Sequence, residues 1–138
     1  MIDPYHEQII QHGTSYHDAR GVIDNILSGV EIVHIARISS RKGSVRGNHY
    51  HPSQDQYILV ISGGLKSVSG PVSEDGSIGM TVEVLAGPGT LLHCPPNVAH
   101  AYYFLEDTWF LNMDTGSRGE PGEDTIPCTV LREEDIDA

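Results

Sequence analysis

The run Gly43-Ser44-Val45-Arg46-Gly47-Asn48-His49-Tyr50-His51-Pro52-Ser53-Gln54-Asp55-Gln56, closed by a glycine at Gly63, decides the fold. His49 and His51 are one residue apart, and side chains alternate across a strand, so both imidazoles face the same side. Same-face neighbours lie about 7 Å apart along a strand, close enough for two rings to converge on one ion inside a barrel. Pro52 predicts a bend, which lets Gln56 return as a further donor. A second run, Pro95-Pro96-Asn97-Val98-Ala99-His100, supplies another histidine. Its prolines read as a turn, in which Asn97 takes the left-handed conformation usually given to glycine. That turn delivers His100 to the next inward-facing strand, with Tyr102 and Phe104 on the same face.

Outward from these runs the chain reads as short strands. Val30–Ile38 is rich in β-branched residues, and Tyr57–Ile61 is a short apolar run; others lie at Leu65–Val68, Met80–Leu85, Thr90–Cys94, Ala101–Leu105, Trp109–Met113 and Thr129–Leu131. Gly63-Gly64, Ser69-Gly70-Pro71, Asp75-Gly76 and Gly87-Pro88-Gly89 punctuate them as turns. Many short strands with evenly placed turns predict an all-β sandwich or barrel. Before them, Asp3-Pro4 with Gly13 predicts a short N-terminal helix or arm, capped at Asp3. The glycine-, proline- and acid-rich stretch 115–127 reads as an exposed loop or flap, and 132–138 as a polar end.

The 138 residues are enough for one domain, and a single core can hold a chain of this size. No apolar run approaches the roughly 20 residues of a spanning helix, and the start lacks the features of a signal peptide, so a cytoplasmic protein without membrane contact is expected. A net charge of −11 argues against nucleic acid as a partner. Against that background, Arg37, Arg41, Lys42 and Arg46 cluster just before the histidine pair. They read either as a solvated turn or as a local site for a small anion. Cys94 and Cys128 lack CxxC spacing and are expected to be reduced.

Glycines, HxH, glutamine, proline and late histidine together stand at the spacings of the two cupin motifs, and the chain resembles a cupin over residues 30–115. The resemblance implies a double-stranded β-helix, a jelly-roll barrel, as one domain spanning 1–138. It also implies one divalent metal ion (zinc, iron, manganese or nickel) held by His49, His51, Gln56 and His100. Gln56 replaces the usual glutamate. Asp55 would satisfy a shorter spacing, but Gln56 keeps the step to Gly63. Asn97 and Phe104 also depart from the usual residues and leave the ligands intact. Three imidazoles and an amide leave the metal's +2 charge uncompensated, which favours anionic ligands and lowers the pKa of bound water.

Arg46-Gly47-Asn48-His49-Tyr50-His51, the double proline and Asp18-Ala19-Arg20-Gly21 are similar to runs in the small sugar-nucleotide cupins: WxcM-like 3,4-ketoisomerases and the cupin domains of capsular-polysaccharide enzymes. In the ketoisomerases the resemblance implies His49 and His51 as acid–base residues; in the capsular type it implies them as ligands. The two roles exclude each other. The expected function is an isomerase or epimerase acting beside the carbonyl of a small, sugar-derived or anionic substrate. The alternatives are an iron-dependent dioxygenase or zinc-dependent cyclase, and a non-enzymatic ligand-binding cupin. Candidate catalytic residues are His93 as a general base near the barrel mouth, Arg46 as the anion holder, and Tyr102 beside His100. His34 could reach the cavity, His6, His12 and His17 are expected at the surface, and a homodimer is expected because cupins commonly pair.

Overall fold

A computed structural model describes residues 3–116 and 125–132. Its twelve strands are β1 (Gln8–Ile10), β2 (Ser15–Asp18), β3 (Gly21–Asp24), β4 (His34–Ser40), β5 (Val45–Tyr50), β6 (Gln56–Ser62), β7 (Leu65–Pro71), β8 (Val82–Ala86), β9 (Leu91–Cys94), β10 (Val98–Phe104), β11 (Thr108–Asp114) and β12 (Ile126–Pro127). Ten of them form two five-stranded sheets, in the orders β1-β9-β6-β11-β4 and β12-β5-β10-β7-β8, while β2 and β3 make a separate ribbon. Every paired strand is antiparallel. This is the all-β cupin barrel that the sequence predicts, and no helix among the described residues is long and apolar enough to cross a membrane.

Alternation along three strands divides the interior into an apolar end and a polar end. On β10 the inward positions run His100, Tyr102, Phe104; on β6 they run Gln56, Ile58, Val60; on β11 they run Asp114, Asn112, Phe110. At one end Ile58, Val60, Leu65, Phe104 and Phe110 pack a continuous core between the sheets, with the rings of Phe104 and Phe110 stacked 5.8 Å apart. Burying each such side chain contributes roughly 1.5–3 kcal/mol. The same three strands carry their polar residues to the opposite end. Core and site are two halves of one pleat.

Three expectations need correction. The N-terminal helix is absent: Asp3 caps a turn by accepting from the Tyr5 amide at 2.8 Å, and Gln8–Ile10 pairs with β9 instead. Pairing with a sheet edge satisfies the backbone groups of this short segment better than two isolated helical turns would. The first long strand begins at His34 rather than Val30. Thr129–Leu131 forms no strand; the amides of Val130 and Leu131 are held by the Asn48 side chain at 2.9 and 3.0 Å. Most of the proposed flap, residues 117–124, and the end 133–138 lie outside the described residues. Cys94 and Cys128 are free thiols.

Candidate active site

The HxH motif is placed by a bulge rather than by plain alternation. Across β10 the register slips: His100 faces His49, and Ala101 faces Gly47, leaving Asn48 as the extra residue. Gly47 and Asn48 take φ of 92° and 56°. A Cβ on Gly47 would stand 2.7 Å from the His100 carbonyl oxygen, so this position requires glycine. Asn48 tolerates the left-handed region and fastens the bulge: its side chain accepts from Val130 and Leu131 and donates to the Leu131 carbonyl at 3.0 Å. As expected, Asn97 is also left-handed, with φ of 62°.

The bulge brings three imidazoles together. The rings of His49 and His51 are 4.9 Å apart, those of His49 and His100 5.0 Å, and those of His51 and His100 6.2 Å. A nitrogen from each lies within 4.8 Å of the others, a spacing that small ring rotations bring onto one ion. Nε2 of His100 is buried without a hydrogen bond. Gln56 joins them from the facing sheet. Its Nε2 donates to Asn112 Oδ1, which fixes the amide so that the carbonyl Oε1, buried and without a hydrogen bond, is the atom left to bind something. Orphaned buried acceptors of this kind are rare and mark a place for an ion or a ligand. The donor set therefore fits a divalent metal, with His49, His51, His100 and Gln56 as the residues that would hold it.

Behind His100 lies a residue that the sequence does not reveal. Glu7, just before β1, is buried inside the barrel and accepts from Tyr102 Oη at 2.5 Å and from Ser67 Oγ. Its other contacts are His100 Nδ1 at 3.3 Å and, through its own amide, Ser69 Oγ at 2.8 Å. Burial pushes the Glu7 carboxyl up, but the imidazole of His100 and the two hydroxyl donors outweigh it and hold the carboxyl below its usual value. Burial, reinforced by Glu7, pushes the Tyr102 hydroxyl well above its usual value. Tyr102 thus stays protonated and is a donor to Glu7, not a base.

His49, His100, Gln56, Arg46 and Tyr102 line a cavity of about 240 Å³ between the sheets, with His51 behind His49. Arg46 spans its mouth, donating to Ser40 Oγ at 2.6 Å and to the Ser39 carbonyl at 2.9 Å. Beyond Arg46 opens a groove of about 640 Å³, lined by Arg41, Ser44 and Trp109 among others. The groove is the larger space, but the cavity holds the convergent polar groups and is the candidate site. The basic cluster is divided: Arg41 and Arg46 face the groove, whereas Arg37 stacks on the outer face of Trp109 at 5.2 Å.

His93 is not at the cavity. It shares the outer face of the sheet with Tyr57, 4.6 Å away and nearly parallel, and pairs with Asp55 at 2.7 Å. Its neighbours in sequence, Leu92 and Cys94, take the inward positions, so strand parity excludes it. His34 does line the cavity, with Nδ1 3.0 Å from Asp114 Oδ2. Of the remaining histidines, His17 is exposed, while His6 is half-buried between Asp3 and the Met80 carbonyl.

No family model and no curated protein matches the chain. Solved structures do. A dTDP-4-dehydrorhamnose 3,5-epimerase from Sulfolobus tokodaii superposes with a TM-score of 0.66 at 23% identity, covering 86% of this chain and 79% of that one. A 3,4-ketoisomerase from Helicobacter canadensis gives 0.69 at 18% identity, covering 87% and 89%. The capsular polysaccharide assembling protein CapF from Staphylococcus aureus gives 0.63 at 16% identity, covering 89% of this chain but 35% of that one. At such identities the likeness speaks for architecture: this chain has the cupin fold, built as in the sugar-nucleotide epimerases, the ketoisomerase and CapF.

Proposed function

We propose that the chain is an isomerase or epimerase that relocates a proton beside the carbonyl of a small, anionic, sugar-derived substrate, and that it does so with a divalent metal. The observation that carries this reading is the gathering of three imidazoles within ligating reach of one another, two of them lining a cavity together with Gln56 and Arg46. The sugar ring fits the cavity, and a phosphate-bearing tail fits the groove, with Arg46 between them and Arg41 beyond. The epimerase among the solved neighbours is named for a dTDP-sugar, which has this division into a carbonyl-bearing ring and an anionic tail. A divalent ion, when bound, supplies Lewis-acid stabilisation of the enolate oxygen. The residues supply the rest: His49, His51, His100 and Gln56 hold the ion, Arg46 orients the anion, and the apolar end of the barrel keeps water from the reacting carbon.

The test is proton NMR of dTDP-4-dehydrorhamnose with the protein in D2O, beside metal analysis of protein purified without tag or chelator. Loss of the signals on carbons flanking the keto group is expected, along with near-stoichiometric metal. A neutral donor set also suits a substrate-chelating iron dioxygenase, or a zinc-dependent cyclase; bound iron with oxygen uptake on catechols or β-diketones would replace the isomerase reading. The open cavity counts against a purely structural or ligand-storing barrel. As for assembly, we propose a homodimer in which the exposed ribbon of β2 and β3, with Tyr16, Val22 and Ile23 outward, meets a second copy.

A further inference from the structure

We propose that His34 takes the proton from the substrate carbon and returns it, with Asp114 as its positioning residue. The proposal rests on the isomerase reading and names the base which that reading leaves open. If His49, His51 and His100 give their lone pairs to an ion, none can accept a proton. Among the described residues lining the cavity, the other titratable groups are His34, Arg46 and Tyr102. Arginine stays protonated at any working pH, and the Tyr102 hydroxyl is already committed as a donor to Glu7. His34 is what remains.

Its geometry fits the role. Asp114 is fully buried and accepts from Asn112 Nδ2 at 3.0 Å through the oxygen that faces His34 Nδ1. A carboxylate only accepts, so the imidazole proton sits on Nδ1 and the lone pair on Nε2, which carries no hydrogen bond among the described residues. The ring is 39% exposed, so substrate can reach it, whereas the carboxylate behind it cannot leave. One chain of bonds joins this pair to the ion-holding side: Gln56 donates to Asn112, Asn112 to Asp114, and Asp114 meets His34. This chain of bonds fixes Gln56 and His34 relative to each other.

The step balances without a further reactant. The C–H bond next to the carbonyl breaks, its proton goes to His34 Nε2, and its electron pair forms the C=C bond of an enolate. The imidazolium, stabilised by Asp114, then returns the proton to the same carbon or, once the hydroxyl proton on that carbon has passed to the enolate oxygen, to the former carbonyl carbon. The fold places an acid–base residue on the sheet opposite the imidazole cluster.

The experiment compares wild type with His34→Gln and His34→Ala, following solvent deuterium exchange into dTDP-4-dehydrorhamnose by NMR. Zinc content and TDP affinity are measured on the same samples. Wild type is expected to exchange, and His34→Gln to lose about 100- to 10,000-fold in rate while zinc content and TDP affinity hold. Added imidazole is expected to restore part of the exchange in His34→Ala. Asp114→Asn should lower the exchange kcat with KM unchanged. Exchange at the wild-type rate in His34→Gln overturns the proposal and leaves the isomerase reading standing. So does loss of zinc and TDP binding together with exchange, which would make His34 structural. A wild type that does not exchange at all removes the isomerase reading and this proposal with it.

Discussion

Two histidines in this barrel are backed by buried carboxylates, and they are backed differently. His100, on one sheet, meets Glu7; both are sealed from solvent, and Glu7 also receives hydrogen bonds from Ser67 and Tyr102. His34, on the other sheet, meets Asp114; the carboxylate is sealed but the ring is open to the cavity. A fully buried imidazole tied to a carboxylate has one orientation, which is what a ligand needs. A half-open imidazole with one nitrogen tied can exchange a proton with whatever enters, which is what a base needs. On the proposed reading, the same residue pair suits two chemistries according to how much water reaches the ring.

The comparison can be broken most sharply at His100. His100→Ala removes one of three strong ligands and is expected to abolish stoichiometric zinc or cobalt binding, read by elemental analysis after dialysis. Retained metal would mean that the ligand set is misassigned. Next comes the carboxylate behind it: Glu7→Gln keeps the volume but loses the charge facing His100, and metal affinity should fall by about 10- to 100-fold in a competition titration with a coloured chelator. An unchanged affinity would make Glu7 a packing residue. The smallest effect is expected on the opposite wall. Gln56→Glu should retain the metal while weakening affinity for TDP or other anionic ligands by roughly tenfold, because it adds a negative charge beside the ion. Undiminished anion affinity in calorimetry would remove the electrostatic part assigned to the amide.

The gathering of the three imidazoles was legible in the sequence. His49, His51, Gln56 and His100 stand in two local runs, each with its own turn chemistry, and local spacing survives folding. The residues behind them were not legible. Glu7 reaches His100 across 93 positions, and His34 reaches Asp114 across 80; no periodicity marks a carboxylate that enters from another strand. The N-terminal helix was misread because Asp3, Pro4 and Gly13 are helix punctuation only where the backbone has no better partner, and β9 offers one. His93 was misplaced by a single step of parity, the commonest error that a two-residue period allows. Arg46 stands in the motif, but its place between two spaces depends on Ser39 and Ser40 of β4, which hold its guanidinium.

The bulge at Gly47 and Asn48 has one more consequence, and it concerns time. Asn48 is fastened by Cys128, Val130 and Leu131, while Glu7 comes from the opposite end of the chain. A ribosome delivers the carboxylate behind His100 first and the residues that hold the HxH backbone last. The three imidazoles are therefore in hand well before their final setting is secured. A nascent chain halted before residue 128 would carry every candidate ligand and still lack the clasp that fixes two of them.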